Sequence, residues 1–322
     1  MEVRSLKSIL LTGGAGFIGS TMARHLLARP EVQQLVVLDL LTYAGRRDNL
    51  IGPDQDPRFH FVKGDINDLG LVTSLVEKFN CSGIMNLAAE SSVDRSIEKP
   101  ADFISTNVAG TSVLLEAARA ARISFLQCST DEVYGPTPFP KQFDETARIR
   151  PSSPYSASKT SADLMVQAAH TTYGQDVTIA RCTNTYGPRQ HLEKFIPTII
   201  HHALRDLPVP IYGSGQQIRD WMHVDDCAKG LIAVFEKGFT RRAYNLGAKC
   251  ERTNLGIVRT ILKQLHKPES LLTHVQDRPG HDTRYAINPR LALIELDWRA
   301  RIPFRSGFEA VIRELSQSLR PF

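Results

Sequence analysis

The chain lacks any apolar run approaching the roughly 18 residues that span a bilayer, which argues against a membrane protein. It also lacks a Lys/Arg run or a basic helix, and its net charge is only +5. That excludes the electrostatic footprint of a nucleic-acid binder and leaves a mild cationic excess that suits a small anionic ligand. Cysteine is scarce: Cys81, Cys128, Cys182, Cys227 and Cys250 are scattered and make no Cys-x-x-Cys. They read as reduced thiols, not as a disulfide framework or a metal set. The ten histidines show no metal-ligand spacing, and His201-His202 reads as helix surface. No metal is therefore expected. Residues Met1 to Ser8 run straight into a short strand, without the apolar region of a secretory signal, so a cytoplasmic protein is expected. No internal repeat or low-complexity linker interrupts the chain.

What is present is an ordinary globular composition, 42% hydrophobic and 23% charged, in a length of 322 residues that suits two lobes. The first half alternates short β-type runs with helical patterns. Strands are expected at Ser8–Thr12, Gln34–Asp39, Phe59–Lys63, Gly83–Leu87, Ile123–Cys128 and Val177–Arg181. Helices are expected at Phe17–Ala28, Leu71–Phe79, Ala101–Ala121 and Tyr155–Tyr173, the last closed by Gly174. Such alternation implies right-handed crossovers and a parallel sheet covered on both faces. After Gly187-Pro188 the rhythm breaks and Pro and Gly become frequent. The expected division is a nucleotide-binding domain at 1–187 and a smaller substrate lobe at 188–322, with part of 220–247 crossing back.

Thr12-Gly-Gly-Ala-Gly-Phe-Ile-Gly19 lies between the first strand and the first helix and contains G-x-G-x-x-G from Gly14 to Gly19. Glycines there permit a tight turn and a close approach of backbone to pyrophosphate, while the helix N-terminus supplies amides and a dipole. Asp39 ends the next strand, twenty residues past Gly19. A carboxylate there accepts hydrogen bonds from ribose hydroxyls and repels a 2′-phosphate, which favours NAD over NADP. Arg46 and Arg47 lie close enough in sequence to meet such a phosphate instead. Asp65-Ile66, after the third strand, either flanks an adenine or is a capping acid and a core residue. The architecture expected is α/β, a Rossmann-type doubly wound parallel sheet with a smaller α/β C-terminal substrate lobe.

Ser129-Thr-Asp-Glu-Val-Tyr-Gly135 and Tyr155-Ser-Ala-Ser-Lys159 carry the chemistry. A Tyr four residues ahead of a Lys shares one helix face with it. A nearby ammonium stabilises a phenolate, so Tyr155 is expected to titrate below an ordinary phenol and to serve as a base. Asp131 and Glu132 add an acid and a base. Burial of two adjacent carboxyls would keep one of them protonated.

The Tyr-x-x-x-Lys pair resembles that of the short-chain dehydrogenase/reductase family, and the whole set is similar to its extended branch. Within it the chain resembles the nucleoside-diphosphate-glucose 4,6-dehydratases, best known acting on dTDP-glucose. The likeness covers nearly the whole chain: residues 12–20, Leu41–Gly45, Ala88–Ser91, Val93–Ser96, Ser129–Gly135, Ser152–Lys159, Gln217–Trp221, Asp277–Asp282 and Arg284–Ile287. The Thr-Asp-Glu triplet discriminates, because related epimerases and decarboxylases generally have small hydroxyl residues there. The resemblance implies oxidation at C4 of the hexose, removal of the C5 proton by Glu132, protonation of the C6 hydroxyl by Asp131, and return of hydride to C6. Thr130 would polarise the C4 oxygen, with Tyr155 and Lys159 completing the catalytic set.

By the same resemblance NAD is held by Gly13, Gly16, Phe17, Ile18, Gly19, Asp39, Thr42, Asp65, Ile66, Ala88, Thr106, Tyr155 and Lys159. Substrate contacts carried over are Ser91, Asn184, Glu193, Lys194, Tyr212, Arg219, Asn254, Arg278 and His281. Arg219, Arg278 and Lys194 suit a diphosphate and Tyr212 a nucleobase. A homodimer through the helices at 101–121 and 155–173 is implied, with neither nucleic acid nor membrane as partner. Leu40, Ser92, Thr185 and the pair His191-Leu192 depart from the family pattern, which leaves UDP-glucose or another hexose nucleotide open as substrate. A sugar-nucleotide epimerase or decarboxylase is the other enzymatic reading. A catalytically silent NAD-holding regulator is the reading from a different class.

Overall fold

The computed structural model describes residues 3–318, so Met1 and Glu2 of the expected leaderless start lie outside the described residues. Among the described residues twelve strands are seen: β1 Ser8–Thr12, β2 Gln34–Asp39, β3 Phe59–Lys63, β4 Gly83–Asn86, β5 Ser124–Thr130, β6 Val177–Cys182, β7 Asn184–Tyr186, β8 Val209–Tyr212, β9 Ile218–His223, β10 Ala243–Leu246, β11 Glu251–Thr253 and β12 Leu272–Val275. The helices are α1 Phe17–Leu27, α2 Leu69–Lys78, α3 Val93–Glu98, α4 Pro100–Phe103, α5 Gly110–Ala121, α6 Pro154–Tyr173, α7 Phe195–Leu204, α8 Val224–Lys237, α9 Asn254–Gln264, α10 Arg290–Leu296 and α11 Phe304–Ser318.

Seven strands form one sheet in the order β10-β6-β5-β4-β1-β2-β3, all pairs parallel. The order reverses between β1 and β4, the switch point at which doubly wound sheets open a ligand crevice. β1 is buried along its whole length and β2 along all but its first residue, as runs such as Ile-Leu-Leu and Leu-Val-Val-Leu demand of a sheet covered on both faces. One apolar layer joins α1 and α8 to the sheet through Met22, Leu26, Leu231 and Phe235. The opposite layer joins α2, α5 and α6 through Leu75, Leu114, Val166 and Phe125. Phe235 is fully buried against Gly83, and truncating such a side chain to Ala typically costs about 3–5 kcal/mol. A third cluster, around Ile200, Trp221, Ile261 and Phe308, packs α7, α9 and α11 with the short strands beyond β6.

One feature differs from the sequence reading. The long helix expected over 101–121 is broken: α4 gives way to a widened π-type turn at Ile104–Ala109 before α5 begins. The wide turn delivers Asn107, whose amide holds the Glu90 backbone on both sides at 2.9 and 3.0 Å and donates to Ser158 Oγ at 2.9 Å. Such π segments recur beside functional sites. Within the stretch 220–247, where a crossing back is expected, β10 joins the large sheet as its edge strand beside β6 and α8 packs on α1. Among the described residues no helix is long and apolar enough to cross a membrane.

Candidate active site

A cavity of about 330 Å³ opens at the C-terminal ends of β1, β2, β4, β5 and β6. A second, of about 210 Å³, opens beside it toward β8, β9 and α9. Ser91, Glu132, Asn184, Thr185, Gln190 and Lys194 line both, so the two cavities adjoin.

The first cavity has the build of a dinucleotide cradle. Gly13 has φ +66°, and a β-carbon there would lie 2.6 Å from the backbone of Leu87 and Ala88. A β-carbon on Gly19 would lie 2.7 Å from Gly14 Cα. Only bare backbone closes this turn, which leads directly into α1. The first turn of α1 carries no acidic side chain, so its positive dipole end stays free for an anion. Asp39 is buried and accepts N–H bonds from Ala15 at 2.9 Å and Leu41 at 2.8 Å. Burial pushes its pKa up and those two amides pull it down. Each oxygen retains a lone pair for a ribose hydroxyl. The two arginines that left NADP open are engaged elsewhere: Arg46 pairs with Asp48 at 3.1 Å, and the Arg47 guanidinium lies over Phe61 at 4.1 Å.

Gly16, Phe17, Ile18, Thr42, Ala88 and Thr106 also line this cavity. So do Asp65 and Ile66, but each has a local duty too. Asp65 accepts the Asn67 N–H at 2.9 Å, and Ile66 belongs to the sheet core.

The expected chemical residues all line the same cavity. α6 begins with a capping box between Ser153 and Ser156 and with Pro154 in its first turn, which sets Tyr155 at the helix start. Thr130 ends β5; its hydroxyl accepts the Glu132 N–H at 3.2 Å and donates to Asp131 Oδ1 at 3.3 Å. Asp131 is buried, its Oδ2 has no partner, and burial followed by the charges of Glu132 and Asp220 pushes its pKa well up. Glu132 is also pushed up by burial, but Arg219 and Lys194 oppose the shift. The two adjacent carboxyls therefore sit in different environments, one built to stay neutral and one faced by cations.

The Tyr–Lys pair corrects the sequence expectation. The phenol of Tyr155 is not lowered; burial, then the Glu132 charge, pushes it well above the usual phenol range. Lys159 Nζ donates to the Cys128 carbonyl at 2.7 Å, and burial lowers its own pKa. The ammonium thus serves the end of β5 in this state of the site.

All nine expected substrate contacts line the second cavity. Arg219 donates to the Asp282 carbonyl at 3.0 Å, with its guanidinium 4.2 Å over Tyr285. Lys194 Nζ donates to Ser91 O at 2.8 Å, and burial lowers its pKa. Arg278 pairs with Asp94 at 3.2 Å and lies 4.6 Å over Tyr212. His281 bonds Asp277 at 2.6 Å, Glu193 pairs with Arg95 at 3.3 Å, and Asn254 opens α9. Among the residues that depart from the family pattern, Leu40 and His191 line the first cavity, Ser92 caps α3 at the second, and Thr185 faces both. Leu192 is exposed.

Tyr43, Asp220 and Tyr285 were not singled out from sequence. Tyr43 lines the first cavity under the Arg95 guanidinium, 3.9 Å away. Asp220 is buried, accepts N–H bonds from Ala248 and Lys249, and helps keep Asp131 neutral. The Tyr285 hydroxyl donates to Asp282 at 2.7 Å. Each lies inside a motif quoted above, which was the available signal. Among the described residues no cluster of three or more His, Cys, Asp or Glu is arranged to hold a metal ion.

The family model for GDP-mannose 4,6 dehydratase matches residues 10–311. The dTDP-glucose 4,6-dehydratase of Haemophilus influenzae is 42% identical over 331 residues, covering 96% of this chain and 97% of the relative. The crystal structure of a dTDP-glucose 4,6-dehydratase from Streptomyces venezuelae, with NAD bound, superposes with a TM-score of 0.93 at 41% identity, covering 97% of each chain. The UDP-glucose 4-epimerase of Thermotoga maritima shares the fold at a TM-score of 0.90 and 26% identity, over 97% of this chain and 100% of that one.

Proposed function

This chain belongs to the GDP-mannose 4,6-dehydratase family, and we propose that within it the protein is an NAD-dependent hydro-lyase that converts dTDP-glucose to the 4-keto-6-deoxy sugar nucleotide. The observation that carries the reading is the Asp131–Glu132 pair: a buried acid with an unpartnered oxygen beside a carboxylate that faces both cavities. An epimerase moves a hydride and needs no such pair; elimination across C5 and C6 needs both an acid and a base.

NAD, when bound in the first cavity, supplies the acceptor for hydride from C4 and its donor to C6. Tyr155 is protonated in this state and must lose that proton before hydride leaves C4; the ketone then stays at C4 in the product, and the proton Tyr155 takes from the C4 hydroxyl balances the one Asp131 gives up. Taking the C4 hydroxyl proton requires its phenolate, which a positive charge bound nearby favours. Thr130 presents a hydroxyl beside it. The C4 ketone acidifies C5–H, and Glu132 takes that proton. Asp131 gives its proton to the C6 hydroxyl, which departs as water. Glu132 then returns a proton to C5. Arg219, Arg278 and Lys194 bring cationic donors to the diphosphate, and Tyr212 offers a ring face to the base.

We assign residues 1–187, with α8 and β10, to the dinucleotide and the remainder of 188–322 mainly to the sugar nucleotide. A homodimer is part of the same reading. α6 and the turn before α5 expose Leu164, Met165 and Ile104 at 53%, 38% and 60%, an apolar face that a second copy would cover. A reducing cytoplasm suits the free thiols Cys128 and Cys182 at the cavity wall.

The test is product analysis after incubation with dTDP-, UDP-, GDP- and CDP-glucose in turn. Loss of water, fastest with dTDP-glucose, is expected. Unchanged mass with altered stereochemistry would make the protein an epimerase, loss of carbon dioxide from a uronate a decarboxylase, and no turnover a silent binder.

A further inference from the structure

Arg181 on β6 is buried to 2% exposure and lines neither cavity. Its Nε donates to Asp163 at 2.9 Å, and its Nη1 donates to the Tyr134 hydroxyl at 2.8 Å. Asp163 lies four residues after Lys159 and eight after Tyr155, on the same face of α6. Tyr134 lies two residues after Glu132, at the end of the turn Asp131–Tyr134. The Tyr134 hydroxyl donates onward to Asn245 Oδ1 at 2.8 Å, and Asn245 on β10 is anchored by Phe143 O at 3.0 Å and by Glu145 at 2.8 Å.

One guanidinium therefore spans the two pieces of backbone that carry the reacting groups. We propose that Arg181 is a positioning residue, which holds the acid–base turn in register with the Tyr–Lys helix through Tyr134 and Asp163. The proposal rests on the dehydratase reading above. A buried ion pair contributes little net stability compared with apolar groups of the same volume. What a guanidinium adds is direction, because its donors lie in one plane at fixed angles. The sugar must present C4 to Tyr155 and C5–C6 to Glu132 and Asp131 without leaving the site, so the distance between the turn and the helix governs how the second half-reaction follows the first.

The test uses the full-length enzyme carrying Tyr134→Phe, which removes one hydroxyl and leaves the Arg181–Asp163 pair in place. With dTDP-glucose, kcat is expected to fall about tenfold, the scale set by small misplacements of reacting groups, while KM stays within about twofold. Oxidation at C4 should persist, so the steady-state fraction of reduced dinucleotide should rise, and exchange of the C5 proton with deuterated solvent should slow relative to oxidation. Arg181→Lys keeps the charge opposite Asp163 but loses the fork, and should give the same signature. Wild-type kcat and redox state in both variants would overturn the proposal. So would a fall in kcat with the dinucleotide as oxidised as in wild type, since general loosening slows both halves alike. A wild-type enzyme that dehydrates no hexose nucleotide would instead remove the reading on which the proposal stands.

Discussion

Replacing Glu132 by Gln keeps its shape and hydrogen bonding and removes its basicity. Among the described residues, Glu132 is the one carboxylate that lines both cavities, so no second base stands ready at the same place. Loss of a positioned general base typically costs about 10²–10⁴ in rate. At 1.36 kcal/mol per tenfold, this corresponds to about 3–5 kcal/mol of transition-state stabilisation. The loss should fall on C5 proton removal alone, because Thr130, Tyr155 and Lys159 are untouched. Rapid mixing with dTDP-glucose should show bound dinucleotide becoming reduced and staying reduced, with no C5 exchange in deuterated buffer. Full dehydration at the wild-type rate would refute Glu132 as the base. The pH dependence carries a second check. The folded-state pKa of Glu132 is raised, mainly by burial. The acid limb of the wild-type rate should therefore lie above the ordinary carboxylate range, with activity lost as pH falls through it. Stability moves the other way. The native state binds more protons than the unfolded chain between the ordinary and the raised pKa, so this carboxyl costs stability progressively as pH rises through that interval. Glu132→Gln should gain stability relative to wild type over the same window, read by thermal melts across pH.

Gly19→Ala would drive a methyl group against Gly13 O and to 2.7 Å from Gly14 Cα, so the protein should purify without dinucleotide and melt at a lower temperature. A variant that retains stoichiometric dinucleotide would show that the turn is looser than its geometry implies. Leu164→Glu puts a charge on the exposed apolar face of α6 and should convert a dimer to monomers by light scattering, with the fold retained by circular dichroism. A monomeric wild type would remove the interface altogether.

The parts of the site that sequence revealed are those whose chemistry is local. The dinucleotide turn follows from a run of glycines between a buried strand and a helix, and Asp39 ends the neighbouring strand because the sheet places both at one edge. The start of α6 is written in Ser153, Pro154 and Ser156, which cap it without help from elsewhere. What stayed hidden depends on partners distant in the chain. β10 is four residues long and acquires its meaning only by pairing with β6. The π-type turn is widened where Asn107 meets Glu90 and Ser158, seventeen and fifty-one residues away.

Tyr155 shows the same limit at the level of charge. A spacing of four places a Tyr and a Lys on one helix face, but it does not say where the ammonium points. Here the Cys128 carbonyl accepts from Lys159 Nζ, and the phenol is left to burial and to Glu132, both of which hold its proton in place. The reversal has a chemical use. A phenol beside Glu132 would be a poor partner if both groups ionised together, because the second negative charge would enter a buried site already holding the first. Burial and the Glu132 charge favour the neutral phenol of Tyr155, and burial with the charges of Glu132 and Asp220 favours the protonated form of Asp131. Spacing thus places the groups on one face, and the order in which they can give up protons is set by the carbonyls and carboxylates that tertiary structure brings against them.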